Sequence, residues 1–203
     1  MDIHYKIDFF SDWHCGSGLS AGADVDALVI KDDCGLPFIP GKTIKGLVRE
    51  AMEDLLSYKS FKGEEKEEMY SLFKKTFGFF NGERGEMIKG QAFFTNAELK
   101  DDERKAIVAD KLQAFMYRRL SSTAIDADGV AKQNSLRRIE VVVPCTLEGR
   151  ILDVPEGKDG NFRKLMEEAL SYIKRLGQNR NRGLGRCAFS IMAITGSEKI
   201  TEK

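Results

Sequence analysis

The sequence predicts an α+β protein whose helices lie on one face of a single antiparallel sheet, and three observations support this. The predicted elements follow the order strand, helices, strand, strand pair, helix, strand. Residues 3–10 alternate apolar and polar side chains with the period of a half-buried strand. The chain has 203 residues, of which 42% are hydrophobic and 32% charged, as expected for a folded domain. We therefore predict an elaborated βαββαβ, ferredoxin-like domain over residues 1–203, with an insertion or projecting region at about 100–140.

The N-terminal half is predicted to contain a strand, a loop, a second strand and two helices. The glycines of 16–24 indicate the loop, and the apolar run 27–30 indicates a buried strand that ends in turn residues. One helix begins after Pro40-Gly41, and the next covers 64–77. The apolar stripe of this second helix consists of Met69, Leu72, Phe73 and Phe77.

The C-terminal half is predicted to complete the sheet. Residues 100–136 show only weak periodicity and end in a polar stretch. Before this stretch we predict a glycine-punctuated loop over 77–86 and a strand over 89–99. After it we predict two strands within 139–151 separated at Pro144, a helix over 161–176, and a final strand over 187–194.

The stretch GLPFIPGKT at 35–43 has the composition of a phosphate-binding P-loop but not its spacing. A P-loop has four residues between its first glycine and Gly-Lys-Ser/Thr, and this stretch has five. Pro37 and Pro40 also lack the N–H groups that would bind phosphate. The sequence therefore excludes a nucleotide-hydrolysing P-loop.

Cysteine spacing and the N-terminus indicate the cellular compartment. The four cysteines have no CxxC spacing, which argues against a disulfide framework and against a structural zinc site. No apolar run is long enough to span a bilayer, and the first ten residues lack the basic start and apolar core of a signal peptide. We expect a cytoplasmic protein that does not associate with membranes.

Charge is segregated along the chain although the net charge is zero. No acidic residue occurs from Ala169 to Ser197, whereas acids cluster at 64–68 and 101–103. The acid-free stretch contains five cations: Lys174, Arg175, Arg180, Arg182 and Arg186. A local basic surface of this kind can bind a polyanion.

The first candidate site is the stretch 176–186, LGQNRNRGLGR. Its glycines at 177, 183 and 185 allow the main chain to approach a ligand closely. Its arginines, Arg180, Arg182 and Arg186, carry forked donors suited to phosphate oxygens. The alternative is a helix that ends at Gly177 with a glycine cap, followed by a solvated basic turn.

The second candidate site is the start of the helix after Pro40. Lys42, Lys45 and Arg49 follow a helical spacing on a face separate from the apolar stripe, which consists of Ile44, Leu47, Val48, Ala51 and Leu55. Because the first N–H groups of a helix have no partner within it, we expect a phosphodiester to bind there. The alternative is a solvated cationic face.

The third candidate is the acidic pair Asp24 and Asp26. Residues two apart at the start of a strand point the same way. The default interpretation is that such a pair caps the loop and forms turn hydrogen bonds. The functional interpretation is that it holds a divalent ion or orients a ribose 2′-hydroxyl.

Taken together, four stretches resemble the RAMP superfamily of CRISPR proteins, and most closely the backbone subunit of type III (Csm/Cmr-type) effector complexes. They are VDALVIKDDCGLPFIPGKTIKGLVREA (25–51), LFKKTFGFFNGERGEMIKGQAFFTNAEL (72–99), STAIDADGVAKQNSLRRIEVVVPCTLEGRI (122–151) and LGQNRNRGLGRCAFSI (176–191). The resemblance implies an RRM-derived ferredoxin-like fold in an antiviral complex. Its implied partners are CRISPR guide RNA, target RNA, other effector subunits and further copies of the chain.

The resemblance also implies roles for individual residues. Asp26 falls on the family's catalytic aspartate, which in many members cuts paired target RNA with a divalent cation such as Mg²⁺. Lys45 and Arg49 fall in the family's guide-RNA helix, and Gly183, Gly185 and Arg186 fall in its glycine-rich loop. Together with Lys42, Arg180 and Arg182, which the charge pattern indicates, these are the predicted RNA-binding residues. The chain departs from the family pattern at Lys42-Thr43, where a serine pair is usual, and at Asn96, where Asp is usual.

Three alternatives remain open from the sequence. The first is a CRISPR RNA-processing endoribonuclease that uses His14 or His4 as general acid and base without a metal. The second is a non-catalytic RNA-binding subunit, and the third is a protein that binds a small phosphate compound at the 41–49 helix.

Overall fold

The fold is a central antiparallel sheet with helices packed on it, seen in a computed structural model that describes residues 1–22, 24–82, 85–157 and 159–196. The helices are α1 (Gly41–Tyr58), α2 (Gly63–Phe77), α3 (Asp101–Ala109) and α4 (Asn161–Tyr172). The strands are β1 (Asp2–Phe9), β2 (Phe38–Ile39), β3 (Gly78–Asn81), β4 (Glu86–Lys89), β5 (Phe93–Phe94), β6 (Ala97–Glu98), β7 (Tyr117–Ser122), β8 (Arg137–Val142), β9 (Thr146–Leu152) and β10 (Cys187–Thr195).

The main sheet has the order β10-β1-β9-β6-β2, with β5 also paired to β9. The βαββαβ unit consists, in chain order, of β1, α1, β6, β9, α4 and β10. In the sheet its four strands lie in the order β10-β1-β9-β6, and neighbouring strands run antiparallel. This arrangement confirms the predicted α+β, ferredoxin-like fold. The β3–β4 and β7–β8 hairpins form separate two-stranded sheets.

The core lies between the sheet and the helices. β1 alternates as predicted, with Ile3, Tyr5 and Ile7 fully buried. The apolar faces of α1 and α4 cover this side of the sheet and bury residues such as Ile44 and Phe162 completely. Each large side chain buried in this way contributes about 1.5–3 kcal/mol.

The loop predicted over 77–86 is wrong, because most of this stretch belongs to the β3–β4 hairpin; residues 83 and 84 lie outside the described residues. Gly78 has φ +85°, and an added Cβ would lie 2.5 Å from the Ile88 carbonyl oxygen. The glycine thus allows two strands to approach closely. It does not mark an irregular loop.

Three other element predictions need correction. The apolar run 27–30 makes only isolated bridges, Ala27 to Ile139 and Val29 to Gly16, and not a regular strand. The weakly periodic stretch 100–136 contains α3 and β7, and α3 has no buried residue, so no apolar stripe revealed it. The last helix ends at Tyr172, and the predicted glycine helix cap at Gly177 therefore does not occur.

Within the described residues, no helix is both long enough and apolar enough to cross a bilayer.

Candidate nucleic-acid interface

The glycine-arginine loop (residues 176–186) packs along the exit segment (residues 10–16), which follows β1. Four hydrogen bonds join them, and in one of these the Phe10 N–H donates to the carbonyl of Arg186 at 2.8 Å. The N–H of Gln178 donates to the carbonyl of His14 at 2.9 Å, and that of Gly185 to the carbonyl of Asp12 at 2.7 Å. The N–H of Arg186 donates to Ser11 Oγ at 3.0 Å. The loop that the sequence singled out is therefore an ordered, main-chain-anchored structure.

The glycines of this loop have different roles. Gly177 and Gly185 have positive φ, and an added Cβ would lie 2.4 Å from the His14 carbonyl oxygen and 1.8 Å from that of Leu176, respectively. The Gly185 N–H and carbonyl are both bonded within the protein, so the predicted main-chain contact of Gly185 with RNA is not supported. Gly183, at φ +92° with open space around it, is exposed and fits that prediction.

The arginines of the loop are exposed. Arg180 and Arg182 bound a single 3₁₀ turn, and Arg186 follows at the base of the loop. In the described part of the chain, no carboxylate forms a salt bridge with any of these three side chains. Their charge is therefore available to an external anion.

The first turn of α1 contacts the same exit segment. The Thr43 side chain lies beside the Cys15 thiol, close enough to influence its pKa. Burial raises the pKa of Cys15 above its ordinary value, while the Thr43 side chain and the positive charge of Lys42 act in the opposite direction. Because the exit segment contacts both the glycine-arginine loop and the start of α1, it links the first two candidate sites.

The start of α1 is not the open anion site that the sequence suggested. The Gly41 N–H donates to Asn96 Oδ1 at 3.0 Å, and the Thr43 N–H bonds to the Pro40 carbonyl at 2.8 Å. An added Cβ on Gly41 would lie 2.0 Å from the Phe94 carbonyl oxygen. The prediction of free N–H groups is therefore wrong for Gly41 and Thr43, and Gly41 is needed for packing.

The cations of α1 differ in their surroundings. Lys42 is exposed and Lys45 half-buried. Arg49 pairs with Glu53 at 2.9 Å, and its guanidinium lies 5.8 Å from the centre of the Phe73 ring. An exposed pair of this kind contributes little to stability, so Arg49 can exchange Glu53 for another anion.

The third candidate, Asp24 and Asp26, lies beside β8 of the β7–β8 hairpin. Both carboxylates contact Arg138, although no regular strand begins at this pair. Asp26 Oδ2 accepts the Arg138 N–H at 2.6 Å, and Asp24 pairs with the guanidinium groups of Arg138 at 3.0 Å and Arg119 at 2.8 Å. Both aspartates are exposed. The default role, anchoring a loop to neighbouring main chain, is thus present in the structure.

A divalent cation would find only part of its ligands here. No group of three or more His, Cys, Asp or Glu side chains able to hold a metal occurs among the described residues. Mg²⁺ at phosphate sites commonly uses one or two carboxylates together with substrate phosphates and water. Asp26 therefore fits as a single protein ligand to an ion whose other ligands come from RNA and solvent.

Sequence reasoning missed the arginines of the hairpin. Arg118 pairs with Asp12 of the exit segment at 3.1 Å, so the hairpin is also linked to this segment. Arg-Arg doublets at 118–119 and 137–138 are visible in the sequence and lie on facing strands. They were overlooked because the strand at 117–122 has no clear apolar alternation.

The two histidines do not form a general acid-base pair. His14 is completely buried, and its Nδ1 lies 2.6 Å from the Glu140 carbonyl oxygen, which identifies Nδ1 as the protonated nitrogen. His4 lies on β1 and contacts Glu148 at 3.4 Å. A substrate phosphate outside the protein cannot reach the His14 ring in this arrangement.

Comparison with known proteins agrees with this architecture. Two similar solved chains come from cryo-EM structures of type III-B Cmr-beta. The chain from the apo state has a TM-score of 0.66 at 13% identity and aligns over 95% of this chain and 97% of its own length. The chain from the form bound to cognate target RNA has a TM-score of 0.65 at 13% identity, over 94% and 97%. At this identity the likeness shows the fold alone.

No curated protein sequence matches significantly. The family model of the RAMP superfamily matches residues 6–188, which include the end of β1, the exit segment, α1, the β7–β8 hairpin and the glycine-arginine loop. The chain belongs to the RAMP superfamily.

Proposed function

We propose that this protein is a guide-RNA-binding backbone subunit of a type III CRISPR effector complex. The observation that carries the proposal is that the exit segment contacts both cation-bearing regions, through Gln178 and Gly185 on one side and Thr43 on the other. Arg180 also lines one cleft with Leu47 and Glu50 of α1, so the loop and this helix border each other at the surface. The fold similarity to chains of type III-B Cmr-beta, one of them in a form bound to target RNA, supports the same assignment.

The chemistry of this surface suits ribose-phosphate and not a particular base sequence. Arginine, lysine and open main chain at Gly183 bind phosphate and sugar oxygens, which carry no sequence information. Specificity then comes from pairing between guide and target RNA. Because the net charge of the chain is zero, attraction depends on the local cations.

Repeated copies along one guide, together with other effector subunits, are part of this proposal. A backbone subunit that binds without sequence preference can occupy successive stretches of the same strand. The mass of the assembled complex should then increase in steps with RNA length, which light scattering measures. A single copy bound at every length would exclude self-association along the guide.

We also propose that Asp26 takes part in cleavage of target RNA. Its exposed carboxylate lies beside β8, next to Arg138 and Asp24. A divalent cation bound by Asp26 and RNA would stabilise negative charge on the phosphate. Asp26→Asn retains an oxygen that can accept the Arg138 N–H but is a poor metal ligand, so it separates the anchoring role from the chemical one. Cleavage by this variant at the wild-type rate would exclude Asp26 from the reaction, and absence of cleavage by wild type in Mg²⁺ would leave a non-catalytic subunit.

The structure argues against the His14 form of one alternative and weakens another. A metal-free processing enzyme based on His14 lacks an accessible imidazole, because His14 is buried, whereas His4 is partly exposed. A small-molecule phosphate site at the start of α1 would lack the N–H groups of Gly41 and Thr43, because Asn96 and Pro40 accept their hydrogen bonds.

The test of RNA binding is a titration of the full chain with labelled single-stranded RNAs of about 10, 20 and 40 nucleotides. Affinity should increase with length and fall steeply between about 50 and 200 mM salt. A mononucleotide should compete poorly. Equal affinity for the mononucleotide and the longest RNA would refute the proposal.

A further inference from the structure

Phe10, the first residue of the exit segment, is an aromatic residue that the core does not use. Its side chain is 58% exposed, whereas its neighbours Phe9 and Trp13 are buried and stack with ring centres 4.6 Å apart. The guanidinium of Arg186 lies 5.9 Å from the centre of the Phe10 ring. A ring and a cation are thus exposed together at the base of the glycine-arginine loop.

The main chain holds these two residues in fixed relative positions. The Phe10 N–H donates to the Arg186 carbonyl at 2.8 Å, and the Arg186 N–H donates to Ser11 Oγ at 3.0 Å. Gly185, immediately before Arg186, is buried against Leu176. Because both backbones are anchored, little conformational freedom is lost when a ligand covers the pair.

Flat aromatic rings and guanidinium planes are the groups on which unpaired nucleobases stack. Stacking tolerates every base because each has a π-face, which is compatible with a surface that binds RNA without reading its sequence. A protein partner would also cover Phe10. The unpaired Arg186 and the acid-free stretch that contains it favour a polyanion.

We infer that Phe10 and Arg186 form a stacking site for one unpaired RNA base, an inference that rests on the RNA-binding function proposed above. The ring contacts the face of the base, and the guanidinium contacts the base edge or the adjoining phosphate. The site adds a base contact of no sequence preference to a surface otherwise suited to phosphate and sugar.

The test compares two strands of about 12 nucleotides, one an RNA of mixed sequence and the other a ribose-phosphate strand without bases. Full-length wild type, Phe10→Ala, Phe10→Trp and Phe93→Ala are titrated with each. Phe93 is a matched control, because its side chain is 61% exposed but lies on β5 in the cleft beside His4 and Glu148.

Phe10→Ala should bind the RNA about five- to a hundredfold more weakly and the base-free strand as wild type does. Phe10→Trp should retain RNA affinity, and Phe93→Ala should behave as wild type. The chain's single tryptophan, Trp13, is fully buried and also present in wild type, so the emission of Phe10→Trp minus that of wild type reports on the new indole. RNA should quench this emission, and the base-free strand should not.

Equal binding of RNA by Phe10→Ala and wild type would overturn the inference while leaving the proposed function intact. An equal loss of affinity by Phe10→Ala for the RNA and for the base-free strand would also overturn the inference, because the base would then make no contribution. Loss of assembly with a second effector subunit at unchanged RNA affinity would identify the ring as a protein contact. If wild type binds neither strand, the proposed function itself fails.

Discussion

Replacing Gly185 with alanine should detach the glycine-arginine loop from the exit segment. Gly185 has φ +69°, which costs an alanine about 1–2 kcal/mol. The new Cβ would lie 1.8 Å from the Leu176 carbonyl oxygen, so the two backbones must separate. Separation breaks the hydrogen bonds from Leu176 N–H to the Gly185 carbonyl and from Gly185 N–H to the Asp12 carbonyl, each worth about 0.5–1.5 kcal/mol. We expect the free energy of unfolding to decrease by about 2–5 kcal/mol in total.

Gly183→Ala is the matched control, because Gly183 also has positive φ but nothing within 4 Å of an added Cβ. Its free energy of unfolding should decrease only by the cost of placing an alanine at positive φ, about 1–2 kcal/mol. Urea unfolding of both variants, followed by circular dichroism, measures the difference. RNA affinity at matched protein concentration then reports whether the detached loop still binds. If Gly185→Ala were no less stable than Gly183→Ala, the packing role assigned to Gly185 would be refuted.

Three further predictions follow from the same structure. Lys45→Ala and Arg182→Ala should weaken binding of any RNA sequence equally, each reducing the salt slope by roughly one; a loss confined to particular sequences would contradict the assignment. Asn96→Ala should lower the free energy of unfolding by about 1 kcal/mol, because the Gly41 N–H loses its acceptor. Asn96→Asp should keep the wild-type stability because it keeps an acceptor oxygen, and the urea midpoints of the two variants test this. Burial raises the pKa of Cys145 and of Cys187 to about 12 in the folded protein, so between about pH 8.5 and 12 these thiols lose protons only on unfolding. The free energy of unfolding should therefore fall as the pH rises above about 8.5, and it should fall less in alanine variants of these cysteines. A wild-type urea midpoint that did not change over this pH range would refute the prediction.

The fold could be predicted where side-chain periodicity is strong. The alternation of β1 and the apolar stripes of α1, α2 and α4 follow directly from burial of one face. α3 has no buried residue, and β4 is exposed along its whole length, so neither left such a pattern. Gly78 was misleading for another reason, since a glycine that permits close backbone approach cannot be distinguished in a sequence from one that marks a loop.

The candidate site could be predicted in its residue types but not in its connections. The cations and glycines of 176–186 and the lysines of α1 were identified from composition and spacing. The exit segment that joins them was not, because it contacts the loop mainly through main-chain groups, which every residue carries. The Asn96 cap on Gly41 was missed for a similar reason, since it joins residues far apart in the sequence.

The structure separates the arginines into two classes that the sequence does not distinguish. Arg118 is paired with Asp12 and Arg119 with Asp24, so these cations hold the hairpin against the rest of the protein. Arg180, Arg182 and Arg186 form no salt bridge among the described residues. An RNA phosphate can bind the second class without first displacing a carboxylate, whereas binding the first class requires loss of an existing pair. A chain of zero net charge can therefore bind a polyanion, because the three arginines of this loop form no salt bridge with the acids of the described residues.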